Sequence, residues 1–266
     1  MDGRTGMGDT GERRPGTTFE HVDLTGARFR VADLTGARFE NVDLSRVVMR
    51  GVELFDVDIS GEVWHLTING VDVGPLIEAE LNRRDPDRAK MRPADPAGFR
   101  EAWDIVERRW EQTVARARRL DPALLHESVQ GEWSFIQTLR HLVFATDAWI
   151  RRVLLGDPHP WHPLDLPFDQ MRQTPGVPWD REIRPSLDEV LALRRDRMAS
   201  MRQVLDGLTD ETLAAHTTPV TAPGWPAPRS YPVRECLECI LNEEWQHRLY
   251  AERDLAVLEA RPAPRS

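Results

Sequence analysis

Lysine is almost missing from this chain: Lys90 is the single lysine among 35 lysines and arginines, and 44 acidic residues outnumber the basic ones, leaving a net charge of −9. A protein so balanced lacks the basic footprint that binding to nucleic acid or to an anionic membrane surface requires. Long apolar runs are also missing, so no segment approaches the ~18 residues of a membrane span. The first eighteen residues are polar and glycine-rich without the apolar core of a secretion signal, and they are expected to form a disordered tail. Cysteine is scarce. Cys236 and Cys239 are the whole complement, which rules out a disulfide framework and suits reduced thiols in the cytoplasm. Their C-x-x-C spacing lacks both a second pair and a thioredoxin-like βαβ setting, so it reads as coincidence. A length of 266 residues and 40% hydrophobic content are enough for two domains with ordinary cores.

A strict period of five stands at the start. Phe19, Leu24, Phe29, Leu34, Phe39, Leu44, Met49, Leu54 and Ile59 recur at every fifth position, and Val22, Ala27, Ala32, Ala37, Val42, Val47, Val52 and Val57 occupy the slot two places before each of the last eight. Neither an α-helix at 3.6 residues per turn nor a strand alternating every two would hold these side chains on one face. A square solenoid would, with four five-residue faces to each turn. Residues 19 to 59, with segments such as Ala32-Asp33-Leu34-Thr35-Gly36, resemble a pentapeptide-repeat right-handed quadrilateral β-helix. About two coils result, too few to present a long duplex-like face in the manner of family members that imitate DNA. The resemblance implies a structural or interaction module. The run Trp64 to Val73, turning at Asn69-Gly70, reads as a closing hairpin that caps the coil. The repeat domain with its cap is therefore expected over residues 19–81.

Helix signals then take over. Pro75 to Leu81 forms a short amphipathic stretch, and the charged, proline-bearing residues 82–95 read as a linker. Phe99, Trp103, Val106, Trp110 and Val114 mark a first long helix from about Pro96. Ser134 with Gln137 forms a capping box that opens a second, running to Gly156, and Ser186 with Glu189 opens a third. A fourth starts after Pro232 and reaches about Ala260. Four such helices over residues 96–260 make an all-α bundle. The connection from Asp157 to Pro185 is too long for a hairpin between antiparallel neighbours, so the second and third helices are expected to be parallel and joined by a crossover. That crossover carries Trp161, Phe168 and Trp179 toward one end of the bundle, and the loop from His216 to Tyr231 adds Trp225; together they are expected to line a pocket.

On the fourth helix Cys239, Glu243 and His247 follow each other at intervals of four and share one stripe, with Glu244 close beside. His141 sits next to the apolar stripe of the second helix. Two imidazoles and a carboxylate with an open position form the donor set of a catalytic metal site. Each has a plainer explanation: a histidine at a helix seam is commonly a hydrogen-bonded core residue, and Glu243 could accept from an arginine. Glu244 is an alternative ligand to Glu243, or a base beside it. Cys239 is read as a small buried residue. His21, His65, His126, His159, His162 and His216 lie in repeat faces or loops and are weak candidates.

The segment Trp133-Ser134-Phe135-Ile136-Gln137-Thr138-Leu139-Arg140-His141-Leu142, paired with the late helix bearing Glu243 and His247, resembles the DinB-like superfamily of four-helix bundles over about residues 96–260. The resemblance implies a divalent metal, zinc first with nickel, manganese or iron as alternatives, held by His141, Glu243 and His247. It also implies a low-molecular-weight thiol such as mycothiol as co-substrate, attacking an electrophilic small molecule. Glu243 stands where a first histidine of the late pair is usual. Glu244 or Tyr250 would move the proton, and Trp161, Trp179 and Trp225 would wall the thiol site. A metal-dependent hydrolase would use the same ligands. The competing class is a non-catalytic scaffold that meets a protein partner, or a second copy of itself, through the β-helix or the bundle.

Overall fold

The structure, a computed structural model, describes residues 16–61 and 63–261. Most of the expected tail, residues 1–18, lies outside them. The chain divides between Ser60 and Gly61 into two compact units.

In the first unit the period of five is written into the backbone. From Gly16 to Gly61 every fifth residue has a positive φ, including the non-glycine residues His21, Val31, Asn41, Arg46 and Asp56. Only glycine enters that region without steric cost, and Gly26, Gly36 and Gly51 take it at three of these corners. Local side-chain bonds support the corners: the carboxylates of Asp23, Asp33 and Asp43 accept from the backbone N–H two residues on, at 2.9, 2.9 and 2.8 Å. The apolar ladder stays open to solvent. Leu24 is 48% and Phe29 64% exposed, and the described residues of this unit contain no strand. The repeat is therefore present, while the coil-on-coil stacking of a β-helix is not formed in this arrangement.

The second unit opens with the expected hairpin: β1 (Thr67–Ile68) pairs antiparallel with β2 (Val71–Asp72) across Asn69-Gly70, both in the left-handed region. This hairpin groups with the helical unit. Next, α1 (Gly74–Arg84) runs into a 3-10 turn over Pro86–Met91. The stretch 82–95, read as a linker, is in fact tied down, because its charges have partners. Glu78 holds Arg88 at 2.8 Å and Arg92 at 3.1 Å. Asp85 and Asp87 hold Arg109 at 2.8 and 2.7 Å. Composition reports a solvated segment; only a facing row of opposite charge makes it a folded one.

The four long helices are α2 (Pro96–Ala117), α3 (Phe135–Thr146), α4 (Leu187–Asp206) and α6 (Val233–Glu259), with the single turn α5 (Asp210–Leu213) before the last. The capping boxes at Ser134 and Ser186 both form. A π-helical stretch, Asp147–Leu154, continues α3. Contacts close a ring: α2 on α6, α6 on α3, α3 on α4, α4 on α2. Its centre is apolar, with Phe99, Trp103, Val106, Leu139, Leu142, Met201, Leu237 and Leu241 buried together.

Ion pairs give the directions. Arg234 meets the carbonyl of Ala94, whereas Arg116 meets Glu259, so α2 and α6 run parallel. Arg118 reaches Asp188 and Arg202 reaches Asp104, so α2 and α4 are antiparallel. His141 meets Glu243, while Val153 packs with Cys236, so α3 and α6 are antiparallel. It follows that α3 and α4 run in the same direction.

Two fully buried arginines hold the long loops down. Arg140 donates to the carbonyls of Leu164, Asp180 and Ile183 in the crossover at 2.8, 2.5 and 3.0 Å. Arg152 donates to Pro158 in the crossover and to Val220 and Ala222 in the later loop. A third, Arg197 of α4, grips the buried Asp147 through two bonds of 2.8 Å. Burial still pushes that carboxyl up to about 6, against the pull of Arg197. Arg197→Ala is expected to leave this buried carboxylate with only Arg151, 3.7 Å away, as an ion partner, at about 3 kcal/mol of stability. In urea unfolding at pH 7 the Arg197→Ala, Asp147→Asn double variant should recover a large part of that loss.

Candidate metal centre

Two helices running in opposite directions bring three donors together. His141 is placed on α3 seven residues after the Ser134 cap, and Glu243 and His247 lie one turn apart on α6. One donor atom from each lies within 4.8 Å of the other two, and this is the one such cluster of three or more among the described residues. Glu243 Oε2 stands 3.2 Å from His141 Nε2 and 3.2 Å from His247 Nδ1. Donor atoms about 2.0–2.2 Å from a shared tetrahedral ion are separated by roughly 3.3–3.5 Å, which the His141 Nε2 spacing approaches. His247 Nδ1 also lies 2.9 Å from the backbone carbonyl of Glu243, which can only accept, so Nδ1 carries the hydrogen and Nε2 is the nitrogen free to ligate.

The hydrogen bonding points the same way. His141 Nδ1 lies 2.9 Å from the carbonyl oxygen of Leu166, which can only accept, so this nitrogen carries the hydrogen. A neutral ring would present the lone pair of Nε2 to the Glu243 carboxylate oxygen, and a protonated ring would donate to it from that nitrogen. Two acceptors facing each other at 3.2 Å call for a positive charge between them, either a ring proton or a metal ion. Burial pushes the His247 imidazole down to about 4, with repulsion from His141 next in size, so it is neutral at pH 7 and able to ligate. For Glu243 burial acts upward, but the hydrogen bond and charge of His141 outweigh it and hold the carboxyl below its usual range. The residues present therefore fit a divalent cation.

The other expected site residues fall in three places. Glu244 is buried on the α4 side, with its oxygens 3.2 and 2.8 Å from Arg194. This pairing with a buried guanidinium fixes α6 against α4 and leaves Glu243 as the carboxylate that faces the two histidines. Tyr250 stands at the rim, its ring edge-on to His247 with centroids 5.9 Å apart and about a third of its surface exposed. Trp161 and Trp225 stack on Phe144 at 5.8 and 5.7 Å, and Trp179 packs into the same cluster. Phe144 in turn is 6.0 Å from His141. These tryptophans thus form one wall adjoining the triad. Because the rings pack on each other, the wall is closed rather than an open pocket. Cys239 does not join the donor group, and burial pushes the Cys236 thiol up to about 12, far from a reactive thiolate.

Sequence reasoning passed over two neighbours. The Leu166 carbonyl fixes the His141 tautomer, and a backbone group leaves no mark in a sequence. Trp133 had a signal. It stands directly before the helix cap in the segment already singled out, and its ring lies 4.6 Å from His141 and 6.0 Å from His247.

The helical unit thus carries a histidine and carboxylate cluster at the seam of the second and the last of its long helices. Residues 105–251 match the DinB superfamily, more than half of the chain, and the protein belongs to that superfamily. Residues 16–51 match eight copies of the pentapeptide repeat. No curated protein and no solved structure gave a significant match to the chain. No helix among the described residues is long and apolar enough to cross a membrane.

An imidazole held at about 4 in the fold and near 6.5 when unfolded binds fewer protons folded than unfolded between those values. Stability of the metal-free protein should therefore be fully present above pH 6.5 and fall as the pH drops toward 4, by up to about 3 kcal/mol at about 1.4 per unit. Denaturant midpoints at pH 7, 6 and 5 should show this slope, and His247→Asn should flatten it.

Proposed function

We propose that this protein is a divalent-metal-dependent transferase that activates a low-molecular-weight thiol of the mycothiol type for attack on an electrophilic small molecule. The observation that carries the reading is the convergence of His141, Glu243 and His247 from two antiparallel helices, with His141 oriented by the Leu166 carbonyl. Zinc is the first choice for two imidazoles and one carboxylate, with nickel, manganese or iron as alternatives. When bound there, a divalent ion lowers the pKa of a thiol at its open position so that sulfur is nucleophilic at neutral pH.

The residues supply the rest. Two neutral imidazoles and one carboxylate cancel only half of a double positive charge, which leaves the site suited to an anionic sulfur. The Tyr250 hydroxyl, at the rim, relays the S–H proton to solvent water, giving up its own proton as it accepts the other, while a carbon–sulfur bond forms and the leaving group departs with its electron pair. The Phe144 side of the triad, backed by Trp161 and Trp225, excludes water. We further propose that the four long helices form a DinB-type bundle with a parallel crossover, and that the repeats close into a β-helix, expected over residues 19–81 with the cap, once their apolar ladder is covered. That exposed ladder favours one second reading, a scaffold docking a protein partner. A hydrolase using the same three ligands is the alternative chemistry.

Elemental analysis of protein purified without a histidine tag should give about one ion per chain, falling below about a tenth in His141→Ala and His247→Ala. Metal-loaded protein incubated with mycothiol and a bimane electrophile should form the thioether well above background, and the two variants should not. A well-folded protein without metal favours the scaffold; metal without conjugation favours hydrolysis.

A further inference from the structure

Asp165 lies in the crossover with no exposed surface. Its Oδ1 is the one carboxylate oxygen among the described residues that is enclosed without a hydrogen-bond partner. An enclosed negative charge needs partners on both of its oxygens. Neither nearby guanidinium pairs with it: Arg197 spends its donors on Asp147, Asp196 and the Pro160 carbonyl, and Arg140 spends its own on the carbonyls of Leu164, Asp180 and Ile183. Asp147, itself buried, adds a like charge. Burial first and that charge second push the Asp165 carboxyl well above the usual carboxylate range, against the His162 N–H, Arg197 and Arg140. The side chain is an uncharged acid in the fold.

Its place in the chain gives it leverage on the triad. Arg140 and His141, adjacent on α3, take the carbonyls on either side of it: Arg140 Nε donates to Leu164 at 2.8 Å, and His141 Nδ1 to Leu166 at 2.9 Å. Between these two anchors Asp165 closes a turn. Its Oδ2 accepts from the His162 N–H at 3.1 Å, its own N–H donates to the His162 carbonyl at 2.9 Å, and the Leu164 N–H donates to His162 Nδ1 at 3.1 Å. The Leu166 carbonyl follows directly, so the angle at which it meets His141 depends on how that turn is closed.

We propose that Asp165 is a positioning residue for His141: as an uncharged hydrogen-bonding side chain it keeps the 162–165 turn closed, and the closed turn holds the Leu166 carbonyl on Nδ1 so that Nε2 faces Glu243. Asp165 acts through one backbone carbonyl. The inference deepens the metal reading above, and its first test needs no metal.

Protein labelled with 15N-histidine reports on the ring directly. In the unsubstituted, metal-free protein at pH 7 the Nδ1–H of His141, identified by its loss in His141→Asn, should give a separate and slowly exchanging signal. Asp165→Asn keeps an uncharged acceptor and donor in the same shape, so it should retain that signal and bind cobalt, followed by visible absorption, within about twofold of the parent. Asp165→Ala should lose the signal to solvent exchange and weaken cobalt binding about tenfold, the size expected when the support of a ligating histidine is removed. An Asp165→Ala protein that is less stable in urea but keeps both signal and affinity overturns the proposal and makes Asp165 a packing residue. Asp165→Asn with the signal lost, or with cobalt weakened as in the alanine variant, overturns it as well, and that result stands even where Asp165→Ala does not fold. Should the parent protein hold no cobalt, the metal reading fails, while the ring signals still decide the role of Asp165.

Discussion

Two arginines on one face of α4 set the register on which the rest depends. Arg194 and Arg197 are three residues apart, and they reach in different directions. Arg194 binds Glu244 of α6, and Arg197 binds Asp147 at the end of α3. Glu244 is the immediate neighbour of Glu243, and Asp147 lies six residues after His141. A guanidinium that meets a carboxylate through two parallel bonds tolerates little sliding, and burial raises the cost of breaking either pair. The two helices that carry the triad are therefore indexed against a third that contributes no ligand. Moving either pair by one helical residue, about 1.5 Å along the axis and 100° around it, would separate His141 from Glu243.

The same device works at the loops in another form. Arg140 and Arg152 form no ion pair with a carboxylate among the described residues and instead gather backbone carbonyls from segments distant in sequence. Long connections normally bury little and move freely, since their own backbone groups need water. A buried guanidinium supplies several donors in a fixed plane and replaces that water. This holds Trp161 and Trp225 against Phe144, and it brings the Leu166 carbonyl to His141. The apolar wall and the oriented imidazole are two results of one way of fastening loops.

The two units contrast in how their periodicity is satisfied. In the helical unit a 3-4 spacing finds facing helices and becomes a core with Trp103, Leu139 and Leu241 at its centre. In the repeat unit the spacing of five is realised in backbone corners and Asp-capped turns, which need only near neighbours in sequence. Covering the ladder needs distant partners, and nine rungs make only about two coils. Local order and buried order are separable here.

Much of the site was legible. The i, i+4 placement of Glu243 and His247 is a property of any α-helix, and the capping box at Ser134 fixed where the His141 helix begins. The long connection from Asp157 to Pro185 was a cue to helices running in the same direction. Other features were not legible. Glu243 and Glu244 are chemically identical neighbours 100° apart, and only the position of Arg194 decides that one faces the triad while the other is spent on an ion pair. The charged stretch 82–95 reads as solvated until Arg108 and Arg109 are seen opposite it. By itself the sequence determined helix faces, caps, the repeat period and the donor types, because these depend on residues within a turn or two. The tertiary structure alone decided which carboxylate faces the two histidines, what orients His141 and where Trp133 stands, because each depends on a partner tens of residues away whose position no local pattern encodes.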